Sequence, residues 1–172
     1  IKDYVTKTLE ADAALCNNQG DIELVLLEEK LEVALNLPEI SPKPFKIRGL
    51  VDRVDRLNNT LRIVDYKTGS VTPSELKIET ISEVFTNHKK GKALQLLCYA
   101  LFLNRSEKWS TVCGEEVSVY VFSTKSQTYL PLIEGKNPMS LTQDKINEFE
   151  ELLKQYIRSL FEGDYFSLDK PE

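Results

Sequence analysis

Two aspartates and a lysine form the most informative polar pattern in this chain of 172 residues. Asp52 lies in the segment GLVDRVD, and Asp65 and Lys67 lie in the segment IVDYKTG that follows it. Carboxylates are the oxygen ligands that Mg²⁺ prefers, and a lysine two residues from an aspartate shares its face of a strand. The pattern predicts metal-assisted hydrolysis, in which the lysine orients or deprotonates the attacking water.

These residues require a β-hairpin to bring them together. Apolar residues alternate in the segment from Phe45 to Leu57, the apolar-rich run Leu61–Tyr66 follows, and Asn58-Asn59 stands between the two. Alternation predicts strands, and an asparagine pair between them is typical of a tight turn. We therefore expect Asp52 and Asp65 on neighbouring strands. The other charged residues of the first strand, Asp55 with Arg53 or Arg56, are expected to form surface ion pairs.

Hydrophobic periodicity predicts the remaining elements. The expected elements are a helix from Ile1 to about Leu15, a strand over Ile22–Leu37, a loop and short helix over Val71–Lys90, a buried helix over Lys92–Asn104, a strand over Val117–Phe122, its partner over Gln127–Ile133, and a final helix reaching Gly163. Ser140 followed by Gln143 matches a capping box and predicts where the final helix begins.

The buried helix adds a third motif, because Gln95 and Tyr99 are four residues apart and share one helical face. Taken in order, the GxxDRxD, DYKTG and QxxxY segments resemble the PD-(D/E)xK nuclease superfamily. Within it they resemble the RecB-like branch, the C-terminal nuclease domains of RecB and AddB type. The resemblance implies an α/β, restriction-endonuclease-like fold in which helices flank a mixed central sheet.

The resemblance also implies a cofactor and its ligands. Mg²⁺ or Mn²⁺ would be held by Asp52, Asp65 and the backbone carbonyl of Tyr66. Lys67 would act on the attacking water, and its ammonium would offset charge as the phosphodiester is cleaved. The hydrolysis would then depend on the metal and the lysine together.

Three further acidic or polar positions follow from the same resemblance. Gln95 and Tyr99 are expected beside the metal centre, where they help to hold it or the nucleic acid. A glutamate on an earlier strand is common in the family, and Glu29 is the expected one, with Glu28 and Glu32 as competitors. Catalytic candidates are therefore the two aspartates, the lysine and this Gln–Tyr pair.

Active members usually carry a ligand histidine on a helix well upstream of the first aspartate. The only histidine here, His88, follows the lysine and is expected to be a surface residue. The chain opens without methionine, in sequence of helical character. We therefore expect residues 1–172 to be a single nuclease-like domain from a longer protein, with the upstream helices and their histidine missing.

The implied activity is metal-dependent hydrolysis of DNA, as an exonuclease in DNA repair or recombination, beside a helicase domain or subunit. One alternative is a catalytically inactive nuclease fold that binds DNA or serves as a scaffold. Another is that the motifs are coincidental and that the chain is an unrelated binding domain. A helix with a lone histidine upstream would favour the enzyme.

Composition limits these possibilities. The net charge of −5 requires any DNA-binding surface to be local, or to depend on a metal or a partner. No stretch approaches the roughly 18 apolar residues of a membrane-spanning helix. Cys16, Cys98 and Cys113 are odd in number and widely spaced, which supports neither a disulfide framework nor an iron–sulfur cluster. A reducing cytoplasm is the expected location.

Overall fold

The computed structural model describes residues 2–112 and 114–162. The helices are α1 (Lys2–Gln19), α2 (Glu83–Thr86), α3 (Gly91–Arg105) and α4 (Gln143–Glu162). The strands are β1 (Ile22–Leu35), β2 (Phe45–Leu57), β3 (Thr60–Lys67), β4 (Lys77–Ile78), β5 (Val117–Ser123), β6 (Thr128–Pro131), β7 (Ile133–Glu134), β8 (Asn137–Pro138) and β9 (Ser140–Leu141). Short 3₁₀ turns cover Pro73–Leu76, His88–Lys90 and Glu107–Val112.

A mixed sheet of six strands forms the centre of the fold. Its order is β1-β2-β3-β5-β6, and β9 also pairs with β5. β3 and β5 are parallel and the other pairs of this sheet are antiparallel, so α3 lies in the crossover between the two parallel strands. A small sheet, β4-β7-β8, lies apart from it. Helices flank the central sheet, and the expected fold class is confirmed.

The predicted hairpin is present and its turn explains its register. Asn58 and Asn59 have φ values of 50° and 66°, which is the left-handed backbone that asparagine tolerates and that a two-residue hairpin turn requires. The turn pairs Leu57 with Thr60, and the pairing continues to Arg53 with Val64. Continuing that register by one step places Asp52 opposite Asp65.

Beyond that point β2 pairs only with β1, and the two strands continue as an arm formed by residues 29–35 and 45–51. One side of the arm packs against the helices. Gly49 makes this possible, because a Cβ there would lie 3.0 Å from ring atoms of both Tyr99 and Phe102. The other side carries the exposed residues Lys30, Arg48 and Leu50.

Helix α3 is buried along most of its length, as its composition predicted. Nine of its residues are buried: Ala93, Leu96, Leu97, Tyr99, Ala100, Leu101, Phe102, Leu103 and Asn104. They join the core that the sheet forms with α4. Helix α1 contacts the opposite face of the sheet, where Asp12 pairs with Arg53. The motif strands therefore lie between α1 and α3.

Several predicted boundaries were wrong. α1 extends to Gln19, past the expected end, and β1 stops two residues before the expected Leu37. Ser140 is not a helix cap, because it belongs to β9 and pairs with Ser118. The Thr142 hydroxyl instead accepts a hydrogen bond from the Lys145 amide, and α4 begins between them. The predicted stop at Gly163 lies outside the described residues.

Among the described residues, no helix has the length and apolar character needed to cross a membrane.

Candidate metal centre

The two motif strands separate at Asp52, and its carboxylate occupies the gap. The backbone N–H of Tyr66 donates to Asp52 Oδ2 at 2.9 Å, in place of a bond to the backbone of β2. In an extended strand the N–H and C=O of one residue point toward the same neighbour. The Tyr66 carbonyl therefore faces the Asp52 side as well. A carboxylate oxygen and a carbonyl oxygen are thus available at the same gap.

Asp65 and Lys67 lie on the α3 face of β3, as their spacing predicted. Asp65 is 2% exposed, and Lys67 Nζ lies 3.1 Å from its Oδ1 and 2.8 Å from its Oδ2. The Nζ also donates to Gln95 Oε1 at 2.9 Å. Oδ2 has only this ion-pair contact and no hydrogen-bond partner among the described residues. A buried carboxylate oxygen therefore remains available to a ligand.

Helix α3 closes the centre from one side. Gln95 Nε2 donates to Tyr99 Oη at 2.5 Å, so the two motif residues form one chain with Lys67. Burial raises the pKa of Tyr99, and the charges of Asp65 and Asp52 raise it further against the opposing hydrogen bond from Gln95. The carboxylates of Asp52 and Asp65 are therefore both close enough to raise the pKa of the Tyr99 hydroxyl.

The electrostatics favour an added cation. Burial raises the pKa of Asp65, the hydrogen bond and charge of Lys67 oppose this, and the charge of Asp52 adds to it. A second positive charge between the carboxylates would stabilise the ionised form of Asp65. The available donors are all hard oxygens, which suit Mg²⁺ or Mn²⁺. The residues present therefore fit a divalent metal.

The shell is nevertheless incomplete. Within the described part of the chain, no three His, Cys, Asp or Glu side chains are grouped so that they could hold a metal ion. His88, the one histidine, is exposed on the turn that precedes α3. Two carboxylates and one carbonyl form the basic set, and water can supply further ligands to Mg²⁺.

Comparison with known families decides what this arrangement is. The model of the family described as "PD-(D/E)XK nuclease superfamily" matches residues 3–170. The chain belongs to the PD-(D/E)XK nuclease superfamily. The match covers nearly the whole sequence and is consistent with the mixed sheet, and members of this superfamily generally use divalent metal ions. It does not distinguish the RecB-like branch, which stays a prediction.

Other comparisons add little. A search among curated proteins finds no match to this chain. A solved structure named "Crystal structure of SSO0001" is 14% identical, with a TM-score of 0.36. The alignment covers 88% of this chain and 56% of the other, so the chain spans little more than half the length of that structure. A similarity this low carries no argument about function.

The predicted glutamate, Glu29, is not brought to the nuclease centre. Its carboxylate forms an ion pair with Lys108 at 2.5 Å. The neighbouring Glu28 has a φ of 48°, and it lines an open pocket of about 450 Å³ together with Leu27, Asp52 and Tyr66. The register of β1 with β2 runs unbroken from Leu27–Arg53 to Glu29–Val51, which puts Glu28 across from Asp52. Glu28 is therefore the acidic residue of β1 that shares a pocket with Asp52.

Sequence reasoning missed the residues behind the centre. Asp55 is not at the surface but fully buried. Its carboxylate accepts hydrogen bonds from Arg62 and lies 2.6 Å from Arg53 Nε. Arg56 instead pairs with Glu115. The hairpin register pairs Asp55 with Arg62, and this pairing could have predicted the ion pair from the sequence.

Asp12 of α1 completes the buried cluster. It accepts a hydrogen bond from Arg53 Nη1 at 2.7 Å and another from the Tyr129 hydroxyl. Arg53 Nη1 also donates to Tyr66 Oη at 3.1 Å. No local sequence signal points to Asp12, because it lies forty-one residues from Arg53. Only the docking of α1 on the sheet brings the two together.

Proposed function

We propose that this chain hydrolyses the phosphodiester bonds of DNA with the help of a divalent metal, using Asp52, Asp65 and Lys67. The observation that carries the proposal is the geometry of the hairpin. A lysine ammonium contacts a buried carboxylate whose Oδ2 has no hydrogen-bond partner among the described residues, and a second carboxylate lies one strand away. Membership of a nuclease superfamily supports the same reaction.

The proposed metal ligands are Asp52, Asp65 and the Tyr66 carbonyl. A bound Mg²⁺ or Mn²⁺ would lower the pKa of water and polarise the scissile phosphate. Lys67 orients the attacking water and offsets negative charge that develops on the phosphate. Gln95 keeps the Lys67 ammonium directed at the centre, and Tyr99 holds Gln95 in turn.

The resemblance to RecB-like nucleases supports finer proposals. We propose exonuclease action in DNA repair or recombination, with a helicase domain or subunit as the partner. A net charge of −5 is consistent with this proposal, because a helicase partner can hold the DNA that an acidic nuclease would repel.

A cleavage assay tests the proposal. The full-length protein is incubated with end-labelled single- and double-stranded DNA and Mg²⁺ or Mn²⁺. We expect cleavage that stops in EDTA and returns with excess metal. A protein that binds DNA and Mn²⁺ without cutting would instead support the inactive nuclease fold that binds DNA.

Glu28 and Glu29 offer a matched test of the β1 acid. Glu28→Gln is expected to raise the Mg²⁺ concentration for half-maximal cleavage by roughly tenfold, because a carboxylate of the metal pocket is lost. Glu29→Gln removes an equal charge from the Lys108 ion pair, and we expect less than a twofold change. Metal titrations of the cleavage rate measure both. Equal effects would contradict the placement of Glu28 at the metal.

The exposed side of the arm is the proposed contact for the DNA backbone. Lys30 and Arg48 line an open pocket of about 360 Å³ with Leu50. Neither cation has an ion-pair partner among the described residues, whereas the nearby Lys46 pairs with Glu32 at 3.0 Å. Two unpaired cations in an acidic protein favour binding to phosphate.

Substitution of both cations tests this surface. The Lys30→Ala/Arg48→Ala variant is expected to weaken DNA binding roughly tenfold at low salt and to reduce the slope of log K against log [salt] by about two. The rate at saturating DNA should not change. Lys46→Ala is the control, and its effect should be smaller because Glu32 already neutralises that charge. The idea fails if Lys46→Ala weakens binding as much as the double variant.

A further inference from the structure

The buried cluster on the α1 side of the sheet reaches the metal centre through one residue, Tyr66. Its ring hydroxyl accepts a hydrogen bond from Arg53 Nη1 at 3.1 Å, and its backbone N–H donates to Asp52 Oδ2 at 2.9 Å. Its carbonyl is a proposed ligand. A shift of the Tyr66 backbone would therefore move its carbonyl oxygen and, through the N–H, Asp52 Oδ2.

Arg53 is itself held firmly. It is 5% exposed, and its guanidinium contacts Asp12 at 2.7 Å through Nη1 and Asp55 at 2.6 Å through Nε. Burial alone would lower the pKa of Arg53, but the hydrogen bonds to Asp12 and Tyr66 and the charge of Asp55 outweigh it, so the pKa is raised. The guanidinium stays charged, and its planar fork fixes its direction.

The tyrosine ring has few other restraints. It packs edge-on against Phe122, with ring centroids 5.9 Å apart, and its other side borders the open pockets beside Asp52 and α1. The Arg53 contact is the only hydrogen bond to its hydroxyl in the described residues. The hydrogen bond from Arg53 therefore anchors the ring and, through it, restrains the backbone of Tyr66.

We infer that Arg53 is a positioning residue, which orients Tyr66 so that Asp52 and the Tyr66 carbonyl face the metal. Arg53 does not touch the metal or the DNA. Helix α1 takes part because its Asp12 holds the guanidinium in place. The inference rests on the proposed metal-dependent function, although its test does not require cleavage.

Arg62 provides the matched control. It is buried to the same degree as Arg53 and bonds the same carboxylate, Asp55. Its guanidinium lies over the rings of Tyr120 and Tyr129 and, within the described part of the chain, makes no hydrogen bond to Tyr66. A defect that arises only from damage to the buried cluster should therefore appear equally in Arg53→Lys and Arg62→Lys.

The test measures Mn²⁺ binding by calorimetry and by electron paramagnetic resonance in the absence of DNA. Arg53→Lys is expected to weaken Mn²⁺ binding about tenfold or more, because one ammonium cannot contact Asp55 and also reach Asp12 and Tyr66, as Nε and Nη1 of the guanidinium do. Arg62→Lys should stay within twofold of the wild type. Tyr66→Phe removes only the hydroxyl oxygen and should also weaken Mn²⁺ binding. It tests the same contact if Arg53→Lys does not fold.

The results separate this inference from the proposed function. Weaker Mn²⁺ binding in Arg53→Lys and Tyr66→Phe but not in Arg62→Lys supports it, even if the wild type cuts no DNA, in which case the nuclease proposal alone fails. Equal losses in the two lysine variants overturn it. It is also overturned if Tyr66→Phe binds Mn²⁺ like the wild type, or if the wild type binds none.

Discussion

Replacing Lys67 with methionine is expected to lower the rate of DNA cleavage at saturating metal by about a hundredfold or more. The ammonium contacts both oxygens of Asp65 and donates to Gln95, so it is fixed where the attacking water and the phosphate would lie. Methionine keeps the apolar stem but has no charge and no proton to give. The variant should therefore be unable to orient the attacking water or to offset the charge that develops on the phosphate.

Single-turnover cleavage of labelled DNA measures the effect. Lys125→Met is the control, since Lys125 is exposed and its Nζ bonds the Ser70 hydroxyl instead of a carboxylate. We expect wild-type rates from it. If Lys67→Met cleaves DNA at a rate within threefold of the wild-type rate, Lys67 has no role in the reaction.

Stability of the Lys67 variant should depend on pH. Burial raises the pKa of Asp65 and Lys67 opposes that rise, so the variant should raise this pKa further. A carboxyl group whose pKa is higher in the folded than in the unfolded state destabilises the fold at neutral pH, where the unfolded chain ionises it more readily. The variant should therefore lose stability most at neutral pH, and the deficit should shrink as the pH falls toward the ordinary value of 3.8.

The second large effect concerns folding. Asp55→Ala is expected to lower the free energy of unfolding by about 3–5 kcal/mol, because two buried arginines then lose their shared carboxylate. Arg53 and Arg62 are 5% and 3% exposed, so water cannot replace the lost partner. The melting temperature should fall by roughly 10 °C.

Thermal and urea denaturation measure this loss. Asp21→Ala is the control, because Asp21 is exposed in the turn before β1 and surface changes of this kind usually stay within about 0.5 kcal/mol. Asp55→Asn, which keeps the shape and loses the charge, should fall between the two. If Asp55→Ala and Asp21→Ala have the same melting temperature, the buried cluster does not stabilise the fold.

The sequence by itself determined the hairpin and the residues that it aligns. A two-residue turn at Asn58-Asn59 leaves one register, and this register, continued one step past its last pair Arg53–Val64, aligns Asp52 with Asp65. The period of two places Lys67 on the face of Asp65, and the helical period places Gln95 beside Tyr99. Each of these relations is local, so residue types and spacing were sufficient to predict it.

Tertiary structure decided the rest, because those contacts join distant segments or depend on local irregularities. After a register shift between Leu24 and Leu26, the pairing of β1 with β2 puts Glu28, not Glu29, across from Asp52 and in its pocket. The burial of Asp55 and Arg53 depends on α1 covering the sheet, and Asp12 reaches Arg53 across forty-one residues. Periodicity reports which face a residue occupies, but only packing determines what lies against that face.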